Sequence, residues 1–138
     1  MRKLLLAALV LTGCGGSLNP ELAGEWTGTM TLSSPGLPAI SAGGYLKVTV
    51  DGGKATISQI CFDGAGEVEA EGDGDTADWS GEYECPPVNF AGCSTMVVKF
   101  RSMTVALRDG GRLLAEGGGS MSGCGDSFQI TMTFSGEK

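Results

Sequence analysis

The 138-residue chain contains no histidine. It therefore lacks the side chain that most often serves as a proton donor or acceptor near neutral pH. The same absence, together with the lack of any Cys-x-x-Cys pair, disfavours a structural zinc site. Cations are scarce as well: nine Lys and Arg stand against sixteen Asp and Glu, for a net charge of −7. Such a chain repels nucleic acid and anionic lipid instead of collecting them. No apolar run is long enough to span a bilayer. The run from Leu4 to Leu11 covers about eight residues, or ~12 Å as a helix, where about 20 residues are needed. Nor does any stretch carry a sustained, capped helical stripe, which leaves the β class.

What is present begins with an address. Arg2 and Lys3 precede the apolar run, small residues follow it, and Leu11-Thr12-Gly13-Cys14 closes the segment. This is the layout of an export signal. The four closing residues resemble the lipobox of bacterial lipoproteins. That resemblance implies removal of residues 1–13, a diacylglyceryl thioether and an amide-linked acyl chain on Cys14, and stable anchoring to a bilayer through more than one chain. Gly15, where an Asp would mark retention, resembles a lipoprotein sent to the outer membrane. The covalent lipid is then the only non-protein group implied, and no cofactor is expected.

Cleavage removes two positive charges and takes the net charge from −7 to about −9. It leaves about 125 residues, enough for one domain. Residues 14–21 read as a lipidated flexible tether, and residues 22–138 as a single domain. Besides Cys14 there are four cysteines, Cys61, Cys85, Cys93 and Cys124. In an exported protein an even number reads as two disulfides, with three connectivities open. Cys85–Cys93 with Cys61–Cys124 is the expected pairing.

The domain alternates apolar and polar residues with period two, and Gly, Asp and Asn punctuate the runs. Trp26, Met30 and Leu32 share one face of the first run, and Leu46, Val48 and Val50 one face of the next. Asp51-Gly52-Gly53 and Asp109-Gly110-Gly111 are hairpin turns. Ala77, Trp79, Gly81, Tyr83 and Cys85 alternate together, and so do Phe128, Ile130, Met132 and Phe134. Between Met96 and Leu107 the phase changes, which predicts a β-bulge near Arg101-Ser102. The expected fold is all-β, an antiparallel meander of about eight strands forming a small up-and-down barrel or half-barrel. If strand directions alternate, both Asp-Gly-Gly hairpins lie at the tether end. All four cysteines and the longer loops, 33–44 and 86–95, then lie at the other.

Gly24-Glu25-Trp26 resembles the Gly-x-Trp signature of lipocalins and their relatives. The resemblance implies Gly24 and Trp26 as a core plug across the closed end of a lipocalin-like barrel; it covers three residues and the strand pattern. Glu67, Glu69, Glu71, Asp73, Asp75 and Asp78 form an acidic run with oxygen ligands of the kind calcium takes. It lacks the regular Asp-x-Asp-x-Asp-Gly order, so a solvated strand face is the plainer reading and no metal site is assigned. Gly117-Gly118-Gly119-Ser120 and Gly123-Cys124-Gly125 lead into no helix that would cradle phosphate. No catalytic residues emerge, and the chain reads as non-enzymatic. The expectation is a monomeric, membrane-anchored envelope lipoprotein. Its partners are the bilayer, through its anchor, and an envelope or extracellular protein, through the rim opposite the tether. The parallel with small envelope barrels that inhibit lysozymes or proteases rests on fold and compartment. The alternative is a lipocalin-like carrier of a small apolar ligand.

Overall fold

The computed structural model describes residues 16–138. The expected export signal and the expected lipidation site, Cys14, lie outside the described residues. A one-turn 3-10 helix, Pro20–Leu22, precedes nine strands: β1 (Gly24–Ser33), β2 (Ile40–Asp51), β3 (Lys54–Ser58), β4 (Glu67–Asp73), β5 (Thr76–Glu84), β6 (Val88–Phe90), β7 (Cys93–Arg108), β8 (Arg112–Gly123) and β9 (Asp126–Glu137).

All strand neighbours are antiparallel, in the order β5-β4-β3-β2-β1-β9-β8-β7-β6, and β5 also pairs with β7. That last ladder joins the ends of the sheet. The chain is thus a closed ring of eight strands in meander order, and β6 is a short ninth strand attached to β7 alone. The half-barrel alternative is set aside by this closure. No helix among the described residues is long and apolar enough to cross a membrane.

Alternation dictates what fills the ring. Leu46, Val48, Ala55, Ile57, Val68, Ala70 and Ala77 point inward from β2 to β5 and are buried. Trp26, Phe100 and Phe134 are the largest fully buried side chains, while Trp79, Tyr83 and Phe128 are half-buried and pack against that core. The expected bulge lies on β7. Phe100 faces Gly119 and Ser102 faces Gly118, which leaves Arg101 without a partner on β8. Arg101 and Ser102 both face solvent, so the inward parity passes from Val98 and Phe100 to Met103 and Val105. A second irregularity on β5, between Ser80 and Tyr83, faces the same point.

Two glycines let neighbouring strands approach at the seams. A Cβ on Gly28 would lie 1.9 Å from the Ser135 carbonyl oxygen, and one on Gly119 would lie 2.0 Å from that of Lys99. Gly43 differs, with nothing within 4 Å of its added Cβ and no positive φ.

Counting strand directions places the 51–54, 73–76 and 108–112 turns at one end, and Cys61, Cys85, Cys93 and Cys124 at the other. The chain enters at the hairpin end, opposite the cysteines, as expected. The flexible tether is corrected from Ser17 onward. Leu18 is buried, its N–H donates to the Gly52 carbonyl, and Gly74 exchanges backbone bonds with Asn19 and Ser17. A leucine in a polar stretch has apolar area to hide, and the gap between two hairpins receives it.

The pairing of the cysteines also differs from expectation: the disulfides are Cys61–Cys85 and Cys93–Cys124. Register explains why. The Cys85 N–H donates to the carbonyl of Val98, five residues along β7 from Cys93. At about 3.3 Å per residue that is ~16 Å, whereas a disulfide needs Cα atoms within about 7 Å. The observed pairs have Cα separations of 5.7 and 6.0 Å. Closing loops of 24 and 31 residues, each stabilises by about 3.5 kcal/mol in the chain-entropy model.

The close approach at Gly119 leads to a contrast measurable by urea denaturation. Gly119→Val is expected to cost at least about 2 kcal/mol, because backbone must move. Gly43→Ala is expected to be neutral or to add about 0.5 kcal/mol, through reduced unfolded-state entropy.

Candidate functional site: two unequal ends of one barrel

The hairpin end is sealed by side chains. Asn19 caps the 3-10 turn, its Oδ1 accepting from the Glu21 N–H at 2.9 Å, and its Nδ2 donates to Asp75 at 2.9 Å. Asn19 before Pro20 is a helix-start signature in which proline's missing N–H costs nothing. The turn drives Leu22 inward to full burial beside Trp26. Trp26 Nε1 donates to the Leu22 carbonyl at 3.0 Å, which satisfies the only polar atom of the buried indole. Lys138 Nζ lies 4.8 Å from the centroid of the indole and donates to the Glu21 carbonyl at 2.7 Å. Gly24 has φ +152°, a conformation that L side chains rarely adopt, and a Cβ there would meet the Lys138 side chain at 2.7 Å. Glycine two residues before the tryptophan thus leaves room for the cation that covers the ring. Gly24 and Trp26 are therefore brought together with Leu22 and Lys138; the last contact has no local sequence signature.

The cysteine end is built differently. Among the described residues four side chains are large, apolar and exposed, and three of them belong here: Leu37 (50%), Ile40 (49%) and Phe62 (46%). Leu37 and Ile40 border a cleft of about 510 Å³ between the β1–β2 connection, the β6–β7 tip and the β8–β9 turn. Its apolar wall comes from inward residues at the strand ends, Leu32, Met96, Met121 and Ile130, with Phe90 and Phe128. Cys93, Cys124 and Asp126 complete it. Sequence reading passed over Leu37, Ile40 and Phe62 because they break no periodicity. Their signal was apolar bulk inside Gly/Pro-rich connections or, for Ile40, directly after one, where polar residues are the rule.

Charge is unevenly spread between the ends. The connections at the cysteine end, residues 34–39, 59–66, 85–92 and 124–125, contain one charged residue, Asp63, and no cation. Lys54, Arg108, Arg112 and Lys138 lie at the hairpin end. Between the ends, Lys99 contacts Glu82 at 2.7 Å and Glu84 at 3.6 Å. The hydrogen bond from Lys99, then its charge, holds the Glu82 carboxyl below its ordinary range. A lowered carboxyl pKa adds stability above the unfolded carboxylate range, and that stability is lost as pH falls from there through the lowered value of the folded state. This pair is solvent-exposed, so its contribution is small and screened by salt.

The acidic run forms no common site. Glu67, Glu69 and Glu71 face outward along β4, Glu69 pairs with Lys54 at 3.2 Å, Asp75 receives Asn19, and Asp78 receives the Thr104 hydroxyl. Among the described residues no three potential ligands are grouped to hold a metal ion. Another concavity, about 590 Å³, lies on the outer face of β1, β9, β8 and β7 and is lined chiefly by threonine and serine.

Comparison with family models, with curated proteins and with solved structures gave no match. The geometry of the two ends is therefore the basis for any functional reading.

The Trp26 arrangement separates packing from hydrogen bonding. Trp26→Phe is expected to lose about 1 kcal/mol or more, through the orphaned Leu22 carbonyl. Trp26→Ala is expected to lose about 3–5 kcal/mol. Equilibrium unfolding followed by circular dichroism checks both values. Equal losses would mean that the Leu22 bond dominates and the ring packs little.

Proposed function

We propose that this chain is a lipid-anchored protein of the bacterial envelope, acting as a non-enzymatic binding module through its cysteine-bearing rim. The observation that carries this reading is the coincidence, at one end, of the apolar cleft with Leu37, Ile40 and Phe62. Water-exposed apolar area costs free energy unless a partner covers it, so such clusters mark contact surfaces. The same end lies away from residues 17–22, which dock at the hairpin end. A lipid on Cys14 would therefore hold the hairpin end toward the bilayer and present the rim outward. The export signal with its lipobox, and Gly15 after it, support placement in the outer membrane.

An envelope or extracellular protein is the partner this rim suits best. Exposed apolar side chains on loops held by a rigid, cross-linked barrel are arranged to be covered by another surface. The second reading, a carrier of a small apolar ligand, draws on the apolar wall of the cleft and on the Trp26 plug at the opposite end. Deeper in the ring, Trp26, Phe100, Phe134 and Met103 already occupy the interior. A ligand would therefore sit in the mouth.

The two readings separate on one variant, Leu37→Ser with Ile40→Ser. Under the module reading, the purified protein retains an envelope protein from extracts at low salt, and the variant loses it with an unchanged circular dichroism spectrum. Equal retention by both would contradict a role for this rim. A lipid seen on the wild type by native mass spectrometry and absent from the variant would establish the carrier instead.

A further inference from the structure

We propose that Cys93–Cys124 is a thiol–disulfide exchange site, open to a dithiol reductant, whose cleavage releases one lip of the apolar cleft while Cys61–Cys85 stays closed. The two bridges occupy different surroundings. Cys61 and Cys85 are both buried, and a Cβ on neighbouring Gly66 would meet the Cys61 sulfur at 2.8 Å and the Tyr83 ring at 2.9 Å. That bridge therefore has a buried residue at each end. Cys93 is also buried, but Cys124 is exposed on the β8–β9 turn. Exchange requires a thiolate to approach one sulfur, and accessible bridges are the labile ones.

Cys124 holds φ +49° as the first residue of the two-residue turn closed by Gly123↔Asp126, which sets it at the tip of a hairpin. One local feature favours exchange there. Thr95 Oγ1 lies 3.6 Å from the Cys93 sulfur and 3.7 Å from the Cys124 sulfur. Its hydroxyl is placed to donate to whichever sulfur leaves as thiolate.

One thiolate of the reductant attacks the Cys124 sulfur, the S–S bond breaks, and its electron pair goes to the Cys93 sulfur, which takes a proton. The reductant's second thiolate then attacks its own sulfur in the mixed disulfide. Cys124 leaves as thiolate and is protonated. Two electrons and two protons have passed to the protein, and the dithiol departs as a disulfide.

The structural consequence lies in the cleft. β6 is attached to the ring only through β7, by the pairs Val88↔Met96 and Phe90↔Cys93. The Cys93–Cys124 bridge ties that hairpin tip to the β8–β9 turn, and both segments wall the cleft. Opening the bridge frees Phe90 and its neighbours to move, whereas the eight-stranded ring keeps its ladders and its buried bridge.

The test uses the full-length oxidised protein and graded dithiothreitol, with timed alkylation, peptide mass mapping and Nile red as a probe of the cleft. Alkylation of Cys93 and Cys124 is expected to be at least about ten-fold faster than that of Cys61 and Cys85. Nile red fluorescence is expected to change in step with it, under conditions that leave the circular dichroism spectrum intact. A Cys93→Ser and Cys124→Ser double variant is expected to show the dye response of the reduced wild type. Opening of Cys61–Cys85 first, simultaneous opening of both bridges, or a dye signal indifferent to Cys93–Cys124 would overturn the proposal.

Discussion

The ladder between β5 and β7 is the constraint on which the rest of the molecule depends. It runs from Thr76↔Ala106 to Glu84↔Lys99 and joins the two ends of the sheet. Without it, β5 would be an open edge held to β4 by three residue pairs, and its upper half would have no partner. Closure in turn requires the chain to leave the ring between two strands that are not consecutive. Pro86 and Pro87 follow Cys85 directly and carry no N–H for a ladder. The chain is thereby released from the seam, returns as the short β6, and re-enters as β7.

Closure also makes the two ends different. A ring of eight strands has room inside for side chains, and here alternation supplies them from every strand. The hairpin end needs only a lid. The 3-10 turn, Leu18, Leu22 and the indole of Trp26 form it, with Lys138 over the ring. The other end carries the longer connections, which the two disulfides pin in adjacent pairs: Cys61 to Cys85 across β4, and Cys93 to Cys124 across the top of β8. Rigid walls with apolar loop tips between them are the result. The proposed binding through that rim, and the proposed redox control of one of its lips, both rest on this division.

Much of this was legible in the chain because it is local. Alternation at Trp26, Met30 and Leu32, the Asp-Gly-Gly turns, and the phase change at Arg101 each need only a few consecutive residues to be read. Their sum gave an all-β meander and the end at which the cysteines gather. What depends on register was not legible. Whether Cys85 meets Cys61 or Cys93 is decided by the residue of β7 that faces it, and no spacing rule encodes that partner. Leu18 looked like part of a tether because its burial comes from Gly52 and Gly74, which lie far along the chain. Leu37 and Phe62 stand out only once the fold shows that nothing in the barrel covers them.

The closed seam is also the most direct place to test the account. Amides of residues 79–84 that face β7 have no alternative partner on β4, so their protection reports the β5–β7 ladder alone. Native-state hydrogen exchange by NMR should find them protected to nearly the level of residues 114–117 in β8, which are paired on both sides. Exchange at the rate of an exposed edge strand would mean that the ring is open. The sealed end, the pinned rim and the cleft between its loops would then lose their common basis.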